Sequence, residues 1–181
     1  MKNRKFIIIG VVVLVITLLV VLLVRRERNV NTYDYPETLV VTNHTTHKNA
    51  DTYSKIILNK IYDYDTITLN IYYEPKDYGS DEIEVAGFIQ KNPFEPHHYN
   101  IFLNKAGLPI SIKGFLSHEL THLHQMEIGD LVPLQDTLAM IYQGDTIWLL
   151  ETTYPNRAYE INALDNQDAI YRELNQLLYR K

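Results

Sequence analysis

The chain predicts an α+β domain, with a small antiparallel or mixed sheet, behind a single N-terminal transmembrane helix. Three observations carry this. Phe6 to Val24 is an unbroken apolar run, broken in polarity only by Gly10 and Thr17. Short stretches after residue 65 alternate apolar and polar side chains, the period of a half-buried strand. Two longer stretches, around residues 110–128 and 157–179, carry apolar residues at helical spacing.

The apolar run has nineteen residues, which as a helix spans about 28 Å, close to the thickness of a bilayer's hydrocarbon core. A cleavable signal peptide would have a shorter apolar stretch followed by small residues at its cleavage site, whereas here Arg25-Arg26-Glu27-Arg28 follows directly. Lys2, Arg4 and Lys5 flank the other end. With the free amino terminus added to that short side, the N-terminus is expected in the cytoplasm and the domain outside it, making a single-pass membrane protein. Residues 1–28 are thus expected as an anchor with basic flanks, contacting a lipid bilayer through residues 6–24. Residues 29–37 are expected as a polar tether and 38–181 as one folded domain.

Within that domain, Asp51–Asp63 has the spacing of an amphipathic helix and Thr66–Tyr73 alternates as a strand with Ile67, Leu69, Ile71 and Tyr73 on one face. Lys76–Asp81 is loop-like. Ile83–Lys91 and Tyr99–Leu103 suggest two more strands, kept apart by Asn92-Pro93-Phe94-Glu95-Pro96, whose prolines cannot donate to a ladder. After a turn at Lys105–Pro109, a helix is expected from Ile110 to Ile128, stopped by Gly129. A hairpin Leu138–Tyr142 with Thr146–Leu150 turns at Gln143-Gly144-Asp145, and a final helix runs from Arg157 to Tyr179.

The net charge is −5 and no basic stripe appears beyond the flanks of the apolar run, which argues against a nucleic-acid partner. Cysteine is absent, so disulfides and thiolate metal sites are excluded and any metal must use histidine and carboxylate ligands. Asn43-His44-Thr45 is a formal glycosylation triplet and carries little weight alone.

The chemistry concentrates at His118-Glu119-Leu120-Thr121-His122. On a helix, residues four apart lie about 40° from each other, so both imidazoles can grip one ion, while Glu119, about 100° round from His118, can reach a water on that ion. Leu116, Leu120 and Leu123 give this helix a buried stripe. A catalytic zinc site commonly takes a third protein ligand. Gln125 and Ile128 stand where a longer HExxHxxGxxH pattern would have Gly and His. Glu160, opening the last helix among apolar neighbours, is the chosen third ligand. His44, His47, His97, His98, Glu151, Asp165 and Asp168 are the alternatives. Tyr154 and Tyr159, close to Glu160 in the chain, are candidate donors to a developing oxyanion.

Together with Glu160-x-x-Ala163, the motif resembles the gluzincin class of zinc metallopeptidases, in its small, minimal form. His118-Glu119-Leu120-Thr121-His122-Leu123-His124-Gln125 is similar to the HELxHxxQ helix of small bacterial peptidase-like domains. The resemblance covers about residues 83–170. It implies a zincin-like fold, one Zn²⁺ per chain on His118, His122 and Glu160, and Glu119 as general base. It also implies an edge strand, Ala86-Gly87-Phe88-Ile89, that holds a peptide or protein substrate. Many relatives place Asp directly after the ExxA pattern to support a metal histidine from behind. Leu164 stands there in this chain, which leaves Asp165 as the substitute. The expected activity is membrane-anchored, zinc-dependent endopeptidase hydrolysis. The alternatives are a metal-binding or assembly module without turnover and a bitopic interaction protein.

Overall fold

A computed structural model describes residues 33–73, 86–104, 111–134, 138–154 and 156–179. Residues 33–175 form one compact unit, and everything below concerns that unit. A second unit comprises residues 1–32 and 176–181, of which only 176–179 are described, as the end of the last helix. Among the described residues the class is α+β, with three helices and seven strands.

The main sheet has four strands, β1 (Leu39–Asn43), β2 (Ile67–Tyr73), β3 (Gly87–Lys91) and β4 (His98–Leu103), in the order β1-β2-β4-β3. β1, β2 and β4 run parallel and β3 is antiparallel to β4, so among the described residues β3 forms an edge. The expected alternation is met: Ile67, Leu69 and Ile71 of β2 and Tyr99, Ile101 and Leu103 of β4 are buried on one face.

Helix α1 (Ala50–Ile56) makes the crossover from β1 to β2 and ends in a wider turn, Ile57–Ile61, where Tyr62 N–H donates to the carbonyl of Ile57 five residues back. Its Ile56, Ile57 and Leu58 are fully buried. Helix α2 (Ile112–Glu127) contributes Phe115, Leu116, Leu120 and Leu123 to the buried set. It starts at Ser111, whose side chain accepts from Gly114 N–H at 3.2 Å. It stops at Gly129, which takes the left-handed conformation (φ 81°) that glycine tolerates.

A second, antiparallel sheet follows: β5 (Leu131–Pro133), β6 (Ala139–Tyr142) and β7 (Asp145–Trp148). The β6–β7 hairpin turns through Gln143 and Gly144, both at positive φ (50° and 91°), as a two-residue turn of matching twist requires. Helix α3 (Ala158–Tyr179) closes the chain.

The structure corrects two expectations. Among the described residues no helix is long and apolar enough to cross a membrane, which overturns the fold class of a domain behind a transmembrane helix and the single-pass localisation drawn from it. Among the described helices only α3 has the length, and its charges rule it out. It has 22 residues, enough to span, but carries Glu160, Asp165, Asp168, Arg172 and Glu173. The expected span 6–24 lies outside the described residues. β1 and β5 were not anticipated, and the sheet is largely parallel around β2.

Candidate metal centre

α2 places His118 and His122 one turn apart, and the first turn of α3 brings Glu160 against them. The three contacting atoms form a near-equilateral triangle: His118 Nε2 to Glu160 Oε2 is 3.2 Å, His122 Nε2 to Glu160 Oε2 is 3.2 Å, and the two Nε2 atoms are 3.2 Å apart. Zinc at about 2.0–2.1 Å from N and O donors has ligand–ligand edges of about 3.3–3.4 Å in a tetrahedron. The triangle therefore has the size of one face of such a site, and all three residues are at most 8% exposed. Among the described residues this is the group of His and carboxylate side chains that could hold a metal ion.

The alternatives are occupied elsewhere. His44 stacks on Tyr72 and His47 tilts against Tyr73. His97 bonds Glu127, and His98 bonds Glu95 and lies 3.0 Å from Asn70 Nδ2. Glu151 and Asp168 are exposed. Asp165 is also exposed and reaches neither histidine, because five residues beyond Glu160 it lies about 140° round the helix. It is not the support for a metal histidine. His118 Nδ1 is buried and finds no hydrogen-bond partner among the described residues.

Around His122 the support is Gln125, which the motif comparison quoted without giving it a role. Gln125 Oε1 lies 2.9 Å from His122 Nδ1, and its Nε2 donates to the Tyr159 carbonyl (3.1 Å) and to Asn162 Oδ1 (2.8 Å). The signal was the spacing: position i+3 from His122 on the same helix.

Electrostatically the two carboxylates are driven apart. Burial pushes Glu160 up, but hydrogen bonding to His118 and His122 and their charge outweigh it, and its pKa falls to about 2. Burial dominates at Glu119, joined by repulsion from Glu160 and offset in part by His122 and by the Ile89 N–H, and its pKa rises to about 8. His122 loses basicity by burial, yet its bond to Glu160 and the charges of Glu119 and Glu160 raise it overall.

Glu119 also ties the centre to the sheet edge. Asn92 N–H bonds the His98 carbonyl and Asn104 N–H the Ala86 carbonyl, so the even-numbered residues of this segment pair with β4. Gly87, Ile89 and Lys91 then direct their backbone groups away from β4, and Ile89 N–H reaches Glu119. Gly87 cannot be larger: a Cβ there would lie 2.2 Å from the Phe102 carbonyl oxygen and 2.7 Å from Phe115 Cζ. The predicted strand Ala86–Ile89 thus lies beside the centre, along a cavity of about 1240 Å³ that also takes in His118, Glu119, His122, Met126, Met140, Leu149, Tyr154 and Leu164.

The two tyrosines differ. Tyr159 is buried, packs edge-on against His122 (5.7 Å) and has its hydroxyl 3.4 Å from Arg157 Nη1. Tyr154 is half exposed, and its hydroxyl hydrogen-bonds Glu160. Burial, then the charges of Glu160 and Glu119, push its pKa up to about 12. Arg157, unforeseen as more than a helix start, donates to the carbonyls of Leu149 (2.9 Å) and Thr152 (3.1 Å) and so pins the turn leading to Tyr154.

Comparison of the chain with protein-family models, with curated proteins and with solved structures finds no match.

Proposed function

We propose that the protein is a zinc-dependent peptidase whose metal is held by His118, His122 and Glu160 and whose general base is Glu119. The observation that carries this reading is the buried 3.2 Å triangle of donor atoms with a carboxylate beside it that is not one of its corners. A purely structural site has no use for Glu119, which remains buried beside the cavity at an energetic cost that its raised pKa records.

When bound, zinc supplies Lewis acidity toward a carbonyl oxygen and toward a water. The chain's own residues do the rest. Glu119, buried beside the triangle without being one of its corners, is placed to take a proton from the attacking water and return it to the departing amine. The water oxygen bonds the scissile carbon, the C–N bond breaks, and the proton moves through a Glu119 oxygen. Tyr154 keeps its hydroxyl proton at neutral pH and borders the cavity next to Glu160, which suits a donor to the developing oxyanion. The outward backbone groups of Gly87 and Lys91 can hold an extended peptide by strand addition. The apolar walls at Met126, Met140 and Leu149 exclude water from the bond being cut.

The test is zinc stoichiometry and hydrolysis of a mixed peptide library by the native chain and by Glu119→Gln. The expected result is one zinc in both, with hydrolysis by the native chain only. A native chain that binds no zinc, or a variant that cleaves as well as the native chain, overturns the reading.

A further inference from the structure

We infer that Gln125 is a positioning residue for the metal centre: it holds His122 in the one tautomer able to ligate and fastens that ring to the helix that carries Glu160. The inference rests on the metal-centre reading above. The chemistry follows from what Gln125 touches. Its Nε2 faces a backbone carbonyl, that of Tyr159, and the carboxamide oxygen of Asn162, both of which accept. The opposite amide orientation would set oxygen against oxygen at 3.1 Å and 2.8 Å. The amide oxygen therefore points at His122 Nδ1, 2.9 Å away, and an oxygen without protons requires that nitrogen to carry the N–H. A neutral imidazole protonated at Nδ1 has its lone pair on Nε2, the atom at the corner of the triangle.

The second half of the role is mechanical. Gln125 is 3% exposed, and its two donor bonds land on the first turns of α3, on either side of Glu160 in sequence. Asn162 is itself held, since Asn166 Nδ2 donates to its carbonyl (2.8 Å) and lies 3.3 Å from its Oδ1. One side chain thus sets the orientation of a ligand on α2 and the distance to the ligand on α3. His118 has no comparable partner among the described residues, so a change at Gln125 acts on one histidine and leaves the other as an internal reference.

The experiment is long-range ¹H–¹⁵N correlation of the metal-free full chain at mildly alkaline pH, where imidazoles are neutral, together with zinc affinity. Glu160 Oε2, 3.2 Å from His122 Nε2, competes for the ring proton in the metal-free chain, so the native chain is expected to show the Nδ1–H tautomer in excess. Gln125→Leu should lose that excess and weaken zinc about 10- to 100-fold, the usual cost of removing a partner behind a metal histidine. Gln125→Glu keeps an acceptor at Nδ1 but sets an oxygen against the Tyr159 carbonyl and Asn162 Oδ1, so it should restore the Nδ1–H tautomer while recovering only part of the affinity. A native His122 protonated at Nε2, a Gln125→Leu chain that binds zinc as tightly as native, or a loss of affinity with the tautomer unchanged each overturns the proposal. Should Gln125→Leu fail to fold, the native tautomer still decides, and Asn162→Ala, which frees the amide without removing it, should give a smaller loss in the same direction. A native chain that binds no zinc defeats the metal-centre reading instead, and the tautomer readout keeps the two failures apart.

Discussion

Helix α2 carries two Glu–His clusters, and only one of them has the form of a metal site. In the first, His118 and His122 meet Glu160 with three donor atoms converging at 3.2 Å. In the second, at the end of the same helix, Glu127 spends its oxygens separately. Oε1 accepts from the Tyr99 hydroxyl and lies 3.4 Å from Lys91 Nζ, and Oε2 lies 2.6 Å from His97 Nδ1. Both carboxylates have lowered pKa values, so a perturbed titration does not tell the clusters apart. Convergence does. In the first cluster a single point can be equidistant from three lone pairs. In the second, every contact to Glu127 comes from a group that can donate, and the cluster is complete as it stands. Glu127 lies five residues beyond His122, about 140° round the helix, so it faces β4 and the loop before it, away from Glu160.

The sharpest way to break this contrast is to remove each carboxylate. Glu160→Ala should weaken zinc by more than about a hundredfold, beyond the 10- to 100-fold that losing an outer partner costs, and should end turnover with the fold kept. Glu127→Ala should leave zinc in place. Competition against a chelating dye reads both. Equal zinc affinity in the two variants would show that the triangle is only a hydrogen-bonded cluster.

A smaller effect comes with pH. His122 must be neutral to ligate, and in the metal-free protein its pKa is raised, so protons compete for it above the ordinary histidine value of about 6.5. Glu160, at about 2, stays charged throughout that window. Zinc affinity should therefore begin to fall already near neutrality and steepen below it. Affinity that stays flat down to about pH 5 would remove His122 from the ligand set.

How much of this the sequence disclosed follows from the range of each interaction. The HExxH pair is local, fixed by helical pitch, and was legible at once. Glu160 was legible because it opens an apolar-periodic helix. The hairpin turn at Gln143–Gly144 and the stop at Gly129 were legible from backbone chemistry confined to a few residues. β1 was not: its pairing with β2 is parallel and depends on α1 folding back, which no short window contains. The strand Leu131–Pro133 is too short to show a period. Asp165 was chosen by chain proximity, and helical phase turned it to solvent. Gln125 offered one local signal, its i+3 spacing from His122, but its bonds to the last helix, like those of Arg157 and Glu127, reach partners between about 5 and 40 residues distant, and a polar side chain on a helix has the same appearance in the sequence whether it faces water or a neighbour.

The smallest expected effect belongs to the second cluster and concerns stability alone. Tyr99 is fully buried and gives its hydroxyl proton to Glu127. Burial pushes the Glu127 carboxyl up, but the hydrogen bonds from Tyr99 and His97 and the charges of Lys91 and His97 pull it below its ordinary value. A carboxylate whose folded pKa is depressed stabilises the fold above its unfolded pKa, and that contribution is lost as pH falls through the folded value. Glu127→Gln keeps the shape and removes the charge, so at neutral pH it should cost about 1–3 kcal/mol in urea unfolding, in the range of a buried hydrogen bond to a charged group. In acid, once the native carboxyl is itself protonated, the two chains should converge in stability. Zinc affinity should be unchanged at neutral pH, because the described partners of Glu127 (Lys91, His97 and Tyr99) form no hydrogen bond with His118, His122 or Glu160. A gap in stability that persists undiminished in strong acid would mean that packing, and not the carboxylate's charge, holds the loop before β4 to the end of α2.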